Sequence, residues 1–581
     1  MLVAVPAALV MAAAVLGAGS RLRFWLRVPV QPGLRLPVDW CLGSLFVGVA
    51  VLLLGLPRLW SALTLGAVVG GGIAAGRWRR SGYRWSMAVA GAVGGLVAAP
   101  VALTAPFFYD ALVYHLGLPW QALVEFGLRS HPEDLFSSFP PLAQLLYAPL
   151  LALGFEHAPA LLHWVSFVAA GCAVGALARA LGAPRWAATL AAGTLLLLPS
   201  HVLVPGLPAA EGWAVAGVLC ALTVALAPRL TAGGPALAGV LAGMATAARL
   251  QGLLWSVMVL AVVGLRAPRR WRSLGLATLG WLAGSSPWWA KNLVLLHQPW
   301  APLGWRREGV ETLWRDAGSL MYRNPHLGDS ARALAASLLP HLAYAAPLAL
   351  AAVLALAEHP RHRRWLSGLV VLGGGVAWGL TGSLPRFLAA TFGVLLALAA
   401  AAARTTWGRW ATVLSLAVTA GLGTVLSVGE LARWGGPNIA RAPAARVRSA
   451  LVVNNPFPGF AAAKVLPANA RVLFVGEPRG FGFPRRFVAP SQHDVSPLRA
   501  ILESAGGPGE AAALLRHQGF THLLVNFGEL ARLAPTYPVA PWRDPGGWRR
   551  WNTFVSWLGS PVVHAGPVEI FVLAAGNPPA V

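Results

Sequence analysis

The sequence predicts a mainly α-helical, polytopic membrane protein with about 14 transmembrane helices and a small α/β domain at its C-terminal end. The 581-residue chain is 57% hydrophobic and only 11% charged, whereas roughly 25% of the residues of a soluble chain are charged. Apolar runs of about 16–22 residues recur from residue 2 to residue 428, and about 20 such residues cross a bilayer as a helix. The pattern changes near residue 430, where short strand-like runs begin.

The first apolar run is predicted to be a retained helix. Residues 1–19 lack a basic segment ahead of the run, and arginines follow it at 21–27, which is the reverse of a cleaved signal peptide. Cys41, Cys172 and Cys220 lie in apolar runs without metal-ligand spacing, so no disulfide framework is predicted. The predicted spans are 2–19, 38–56, 61–76, 86–105, 158–178, 186–204, 211–227, 236–248, 250–265, 274–289, 334–357, 366–381, 387–403 and 410–428.

The positive charge lies between the spans. The net charge is +25 and comes almost wholly from arginine, because Lys291 and Lys464 are the only lysines. When the spans alternate across the membrane, all the arginine-rich stretches fall on one side, which the positive-inside rule makes cytoplasmic. This topology accounts for the basic composition, so we expect membrane lipids and no nucleic acid as partners. The stretches are 21–27, 77–84, 266–272, 361–364 and 404–409.

The opposite side receives the long connections. We therefore predict a membrane domain over 1–429, with 106–157 as its first extracytoplasmic loop, and an extracytoplasmic α/β domain over 430–581. Runs at 471–476, 521–528 and 568–573, with a helical stretch near 497–517, predict this second domain.

Two carboxylates lie at extracytoplasmic ends of predicted helices. Asp110 is in "FFYDALVYHLGLPW" (107–120), and Glu211 directly precedes the run of 212–227. Acids at the membrane boundary are rare and are often functional. Such a pair can act as a general base, hold a divalent cation, or both. Between them, the "FPPLAQLLY" run predicts an amphipathic helix lying in the interface.

Basic residues on this side are few. Arg249 separates two short spans, Lys291 and Asn292 follow a helix end with His297 beyond them, and Arg386 begins another helix. A lone basic residue is often an interfacial anchor. Three of them around two carboxylates favour an anion site, because the arginine fork donates two hydrogen bonds to phosphate in one plane.

Together these segments resemble the GT-C superfamily of polyprenyl-phosphate-dependent glycosyltransferases, in particular bacterial proteins of the protein mannosyltransferase and aminoarabinose transferase type, glycosyltransferase family 39. The resemblance extends over about residues 100–400. Glu211 stands where the family more often has Asp, Arg249 where it often has Lys, and two or three extra helices precede the first loop. The matching segments are "FYDALVYHLGLP", "FPPLAQLLY", Glu211, "ATAARLQG", "SPWWAKNLVLLHQPWAP" and "SLPRFLAA".

The resemblance implies an inner-membrane enzyme that transfers a sugar from a polyprenyl-phosphate donor to a hydroxyl of a glycan, lipid or protein acceptor. The reaction would be an inverting single displacement at the periplasmic or extracellular face. It implies Asp110 as the base and Glu211 as a group that orients the acceptor or holds Mg²⁺ or Mn²⁺ together with Asp110. The donor-phosphate ligands would be Arg249, Lys291 and Arg386, and the other substrate-binding candidates are Tyr114, His115, Asn292 and His297.

Two other functions fit the same residues. A transporter or flippase of lipid-linked sugars also needs charged side chains in a cavity. It should, however, carry charges at the bilayer midplane and inverted repeats, and the sequence has neither. The second alternative is a non-catalytic envelope assembly protein whose C-terminal domain binds a partner.

Overall fold

The fold is known from a computed structural model. The predicted span 366–381 and the arginine stretches 77–84 and 361–364 lie wholly or largely outside the residues that it describes, as does the first half of the predicted span 334–357. The described residues are 3–77, 83, 85–227, 231, 233–267, 269–305, 308, 310–316, 318, 326, 328, 332, 336, 345–356, 373–376, 378–380 and 384–573.

Helices account for most of the described residues up to Arg433, as the apolar runs predict. They are α1 (Ala4–Leu26), α2 (Arg35–Gly55), α3 (Ala62–Ala74), α4 (Trp85–Gly94), α5 (Ala99–Ala102), α6 (Gly117–Val124), α7 (Leu142–Ala152), α8 (Ala158–Ala180), α9 (Arg185–Thr194), α10 (Glu211–Ala225), α11 (Gly234–Ala248), α12 (Gly252–Arg266), α13 (Arg270–Leu296), α14 (Val310–Asp316), α15 (Ala345–Leu356), α16 (Ala389–Ala401) and α17 (Thr406–Arg433).

Many of these helices are apolar enough for a bilayer. Within the described residues, six helices have both the length and the composition to cross a membrane, and shorter apolar helices of 10–17 residues pack among them. The predicted multi-pass helical fold is confirmed. The six are Ala4–Leu26, Pro32–Gly55, Trp85–Ala102, Ala158–Ala180, Pro385–Arg404 and Thr406–Arg433.

Glycines allow α11 and α13 to pack closely, and this packing positions the end of α11. A Cβ added at Gly239 would lie 1.9 Å from the carbonyl oxygen of Ala277, and one at Gly284 would lie 2.2 Å from that of Val240. Small residues four apart on both helices let the two backbones approach in this way. This packing fixes the position of Arg249, the residue that caps α11.

The segment predicted to lie flat in the interface is a helix that other helices cover. Every residue of α7 from Leu142 to Leu151 is buried, and the helix packs against α2, α3, α6 and α8. It therefore has no exposed polar face, while its position relative to the membrane interface stays a prediction. The physical reason is composition, because Gln144 is the only residue of α7 with a strongly polar side chain, which leaves no polar face for water.

The C-terminal part of the chain is an α/β domain, as predicted. Its five-stranded sheet has the order β2-β1-β3-β5-β4, with β1 parallel to β2 and β3, and β5 antiparallel to β3 and β4. The three predicted strands are β1, β3 and β5, whereas the three-residue strands β2 and β4 are too short to be seen in the sequence. The strands are β1 (Arg471–Val475), β2 (Arg486–Val488), β3 (His522–Asn526), β4 (Val563–Ala565) and β5 (Val568–Val572).

Short helices cover and connect this sheet. Two of them, Pro497–Ser504 and Pro508–His517, form the helical stretch that the sequence predicts near 497–517. They pack with the last helix over one face of the sheet, around Leu473 and Leu523. In chain order the helices are α18 (Ala444–Leu451), α19 (Phe457–Ala462), α20 (Pro497–Ser504), α21 (Pro508–His517), α22 (Phe527–Leu533) and α23 (Pro545–Leu558).

The domain is hydrogen-bonded to the loop that carries Asp110. The indole of Trp120 donates to the carbonyl of Phe483 at 2.8 Å, and the Gln121 amide donates to that of Phe487 at 3.0 Å. The Phe481 N–H donates to the carbonyl of Leu112 at 3.3 Å. The carboxyl ends of β1 and β3 consequently face this loop.

Candidate active site

Asp110 lies at the start of a π-helical turn. The turn spans Ala111–His115 and buries all five of its residues, whereas 26% of the Asp110 side chain stays exposed. Single π-helical turns are rare and are frequent at functional sites. The local structure therefore holds one carboxylate at the edge of a buried segment, facing solvent.

Glu211, the first residue of α10, lies deeper, with 4% of its side chain exposed. Its Oε2 accepts a hydrogen bond from the N–H of Ala210 at 3.1 Å and lies 4.0 Å from Nε2 of His163. The same His163 nitrogen accepts from the N–H of Gly212 at 3.2 Å. His163 is a buried residue that the sequence analysis missed, and it fixes the first turn of α10.

Arg249 and Arg386 join the two carboxylates. Arg386 Nη2 lies 2.9 Å from Oδ2 of Asp110, and its Nε lies 3.6 Å from Oε1 of Glu211. Arg249 Nη1 lies 2.7 Å from the same Glu211 oxygen. The ring of Phe387 lies beside both guanidinium groups, at 4.4 Å from Arg249 and 5.5 Å from Arg386.

These four residues are called the floor cluster below: Asp110, Glu211, Arg249 and Arg386. Its two positive and two negative charges balance, and 276 residues separate the hydrogen-bonded Asp110 and Arg386. The structure thus brings together both predicted acids and two of the three predicted phosphate ligands. The chemical roles given to them stay predictions.

A cavity of about 730 Å³ lies above the floor cluster. Asp110, Arg249 and Arg386 line it from the helical part of the chain, and residues of the α/β domain line it from the other side. Its size is within the usual range of ligand sites. The cavity is large enough for a sugar together with the group that receives it.

Lys291 and Asn292 lie elsewhere. The Lys291 ammonium donates to the carbonyl oxygens of Ser137 and Phe139, and the Asn292 amide donates to Ser138 at 2.8 Å and to Ala301 at 2.9 Å. Lys291 lines a separate small cavity beside Glu125 and His131. Both side chains therefore fix the loop around residue 138 to α13.

The remaining predicted residues divide between the cavity and its surroundings. Tyr114 lines the large cavity and stacks on Phe136 with ring centroids 4.5 Å apart. His115 lines a narrow side cavity beside Arg249, and its Nδ1 has no hydrogen-bond partner among the described residues. His297 is exposed at the C-terminal cap of α13.

The α/β domain supplies cavity residues that the sequence analysis did not identify. They include Arg479, Gln492, His493, Arg532 and Tyr537. Arg479 follows β1, and Arg532 lies on α22, directly after β3. Since the carboxyl ends of parallel strands commonly form ligand sites, polar residues after "RVLFVG" and "THLLVN" were a usable signal.

A second cluster of charges supports that side of the cavity, and it is called the domain cluster: Glu477, Arg479, Glu529 and Arg532. Arg479 Nε lies 2.6 Å from Glu477, and Arg532 Nη2 lies 2.6 Å from Glu529. The guanidinium carbons of Arg479 and Arg532 lie 5.6 and 5.5 Å from the ring of Tyr109, the neighbour of Asp110. The domain cluster therefore contacts the loop that carries Asp110, the predicted base.

The floor cluster does not fit a divalent cation held between Asp110 and Glu211. The Arg386 guanidinium contacts both carboxylates, at 2.9 and 3.6 Å, and so lies where a bridging ion would lie. Across the described residues, no group of three or more His, Cys, Asp or Glu side chains has metal-site geometry. We derive no step through Mg²⁺ or Mn²⁺.

No protein-family model and no curated protein sequence matches the chain. Solved structures do resemble it. ArnT from Cupriavidus metallidurans bound to undecaprenyl phosphate is 15% identical, with a TM-score of 0.48, over 84% of this chain and 98% of that one. The Archaeoglobus fulgidus oligosaccharyltransferase, in complex with Zn and sulfate, is 14% identical, with a TM-score of 0.46, over 77% and 69%.

A third similar structure is the arabinofuranosyltransferase AftD from Mycobacteria. It is 18% identical, with a TM-score of 0.45, over 84% of this chain and 40% of that one. The chain is thus similar to structures of an oligosaccharyltransferase and an arabinofuranosyltransferase, in line with the resemblance predicted from the sequence. At this identity and overlap, the likeness carries no information about substrate or reaction.

Proposed function

We propose that this protein is an integral-membrane glycosyltransferase that moves a hexose or pentose from a polyprenyl-phosphate donor to an acceptor hydroxyl. The observation that carries the proposal is the floor cluster. Two acids and two arginines from four separate segments meet beneath one cavity of about 730 Å³. A paired acid and cation are what an inverting displacement at a phosphorylated sugar needs.

In the proposed reaction, Asp110 accepts the proton of the acceptor hydroxyl while the oxygen attacks the anomeric carbon. A new C–O bond forms, and the bond between that carbon and the phosphate oxygen breaks with inversion. The electron pair leaves with the polyprenyl phosphate. General base assistance of this kind contributes about 10²–10⁴-fold to the rate.

Arg249 and Arg386 are proposed to bind the donor phosphate. Both line the cavity, and 17% and 18% of their side chains are exposed to it. Preorganised cations stabilise the charge that grows on the leaving phosphate. We propose that Glu211, buried beneath them, orients the two guanidinium groups.

The donor phosphate and Asp110 would compete for Arg386. In the structure Arg386 donates a hydrogen bond to Oδ2 of Asp110 at 2.9 Å, so the guanidinium occupies an oxygen that would otherwise accept the proton. A donor phosphodiester, with its single negative charge, would release Asp110 for proton transfer by drawing Arg386 away. Donor binding would therefore make Asp110 available to act as the base.

We place the cavity on the extracytoplasmic side of the inner membrane. Helices α10 and α12 begin at the floor cluster, with Glu211 and next to Arg249, and α12 ends at Arg266, in an arginine-rich stretch. Likewise, α16 follows Arg386 and is followed by the arginine-rich stretch at 404–409. The positive-inside rule then orients the cavity outward.

The experiment uses right-side-out vesicles containing the protein. They receive undecaprenyl phosphate carrying radiolabelled mannose, glucose, arabinose or aminoarabinose, and label in envelope products is counted. We expect transfer from at least one donor, and a loss of about 10²–10⁴-fold in Asp110→Asn. The same variant should bind unglycosylated undecaprenyl phosphate at least as tightly as wild type, because Arg386 is freed.

The control is Glu430→Gln, which changes an acid on α17 that is paired with Arg433 outside the cavity. A membrane-impermeant maleimide should label Ser130→Cys but not Trp271→Cys in these vesicles. If Asp110→Asn transferred sugar at the wild-type rate, Asp110 would not be the base. Movement of the labelled lipid across the bilayer without transfer would favour a transporter instead, and the opposite labelling pattern would refute the topology.

A further inference from the structure

Besides Nε of Arg386, two buried polar atoms on residues that line the cavity have no hydrogen-bond partner within the described part of the chain. They are the hydroxyl of Tyr109 and the amide oxygen of Gln492. Almost all buried polar groups in proteins are paired, and an unpaired one calls for an explanation. A ligand that supplies both partners would be such an explanation.

The Tyr109 hydroxyl is a hydrogen-bond donor at neutral pH. Burial, together with the nearby Glu529 and Glu477, raises its pKa well above the usual 10, so it keeps its proton. Arg479 and Arg532 hold the ring from the α/β domain. This donor belongs to the residue directly before the proposed base, Asp110.

The Gln492 amide oxygen is the free acceptor in the orientation that pairs the amide nitrogen with His493. Burial lowers the pKa of His493 to about 4, so its imidazole is neutral at pH 7. Its Nδ1 lies 2.9 Å from the hydroxyl of Thr312 and its Nε2 lies 3.2 Å from the Gln492 amide nitrogen. When Nδ1–H donates to Thr312, Nε2 accepts from the amide nitrogen, which leaves the amide oxygen without a partner.

The backbone beside Gln492 is also fixed. The carboxylate of Asp494 accepts hydrogen bonds from the N–H of Ser491 at 3.0 Å and from the N–H of Leu135 at 2.8 Å. These bonds tie the 491–494 segment to the first extracytoplasmic loop. The acceptor oxygen and the donor hydroxyl therefore keep their positions before any ligand binds.

We propose that Tyr109 and Gln492 form an acceptor subsite that binds the hydroxyl groups of a neutral saccharide. The subsite rests on the function proposed above, and it would hold the sugar ring whose hydroxyl Asp110 deprotonates. A hydroxyl both donates and accepts, so adjacent hydroxyls satisfy one protein donor and one protein acceptor.

Other acceptor chemistries fit less well. A phosphate or carboxylate offers only acceptors and would face the Gln492 oxygen, while a hydrocarbon would leave both atoms unpaired. The arginines nearby are already neutralised, because Arg479 pairs with Glu477 and Arg532 with Glu529. Aromatic rings, including those of Phe136 and Tyr537, line the same cavity and offer flat apolar surfaces to a sugar ring.

The test is isothermal titration of the full-length protein in nanodiscs with three neutral trisaccharides, built of glucose, mannose or N-acetylglucosamine. At least one should bind at millimolar concentration. Tyr109→Phe and Gln492→Leu should each weaken that binding about fivefold or more, the value of one neutral hydrogen bond. Tyr109→Phe removes an atom without a partner, so it should fold as wild type does.

The matched control is Gln298→Leu, an exposed glutamine beyond the end of α13 and outside the cavity lining. The 6-phosphate derivative of the trisaccharide that binds should bind no more tightly. The subsite is refuted if none of the trisaccharides binds, if both variants bind as wild type does, or if the phosphorylated sugar binds much more tightly. Undecaprenyl phosphate binding, measured alongside, reports separately on the donor site.

Discussion

The floor cluster and the domain cluster each consist of two arginines and two acidic side chains, yet their surroundings differ. In the domain cluster, 2% of Arg479 and none of Glu477 is exposed, and the carbonyls of Val453 and Asn454 accept further hydrogen bonds from Arg479. Asn526 donates to Glu477 at 2.7 Å. The Arg479–Glu477 pair at its centre is thus buried and satisfied from several sides.

The floor cluster is less complete. Between 17% and 26% of its Asp110, Arg249 and Arg386 side chains is exposed, and Nε of Arg386 lacks a hydrogen-bond partner among the described residues. A satisfied buried network rigidifies a structure, whereas charges left open to a cavity can bind a ligand. The buried Arg479–Glu477 pair thus favours structure, whereas the partly exposed floor cluster favours chemistry.

Among the tests of this comparison, the largest expected effect is on transfer by Arg386→Gln. Removing one preorganised donor to developing charge typically costs about 10²–10³-fold in rate, and binding of undecaprenyl phosphate should weaken with it. The vesicle assay with labelled donor measures the first effect and titration measures the second. Arg433→Gln, a matched change at an exposed arginine, should alter neither; full activity of Arg386→Gln would show that the floor cluster is only structural.

The next effect is on stability, in Arg479→Met. Removing this arginine leaves Glu477 buried without its cation, and breaking one side of a buried pair destabilises by about 3–5 kcal/mol. Thermal unfolding of the purified protein measures the loss, and Arg479→Met combined with Glu477→Gln should recover part of it. If the unfolding temperature of Arg479→Met is unchanged but this variant no longer binds undecaprenyl phosphate, then the domain cluster binds the ligand and does not serve to stabilise the fold.

The smallest effect is on the pH dependence of stability. It depends on His131, in the loop of residues 106–157. Burial alone would lower the pKa of this imidazole, but hydrogen bonds with Glu125 and Glu133 raise it to about 10. A raised pKa stabilises the fold fully below the ordinary value of 6.5, and this stabilisation is lost as the pH rises towards 10. Arg129 also faces this group of side chains, 3.7 Å from Glu125.

Wild type should therefore lose more thermal stability between pH 7 and pH 10 than His131→Gln. Asp134 titrates in the same range, because burial and the nearby Asp494 raise its pKa to about 8 while His131 lowers it, so Asp134→Asn is included in both proteins to isolate the imidazole. Equal pH dependence of the two unfolding temperatures would show that the imidazole is not held as a cation.

Several features could be read from the sequence because they are local. Apolar runs of bilayer length fixed the helices, and β-branched runs fixed β1, β3 and β5. Asp110, Glu211, Arg249 and Arg386 each stand at a break beside an apolar run, where a charge is unusual enough to be noticed. The types of these residues, and their placement on one side of the membrane, could therefore be predicted without a structure.

Other features depend on contacts between distant segments. The sequence could not show that Lys291 turns to the carbonyls of Ser137 and Phe139 rather than to the cavity. Nor could it show that Gln492 of the α/β domain lines the same cavity as Tyr109. Such placements are decided by packing, as where glycines bring α11 against α13. Hydropathy and charge determined the helices and the candidate groups, while close packing alone decided which groups share a cavity.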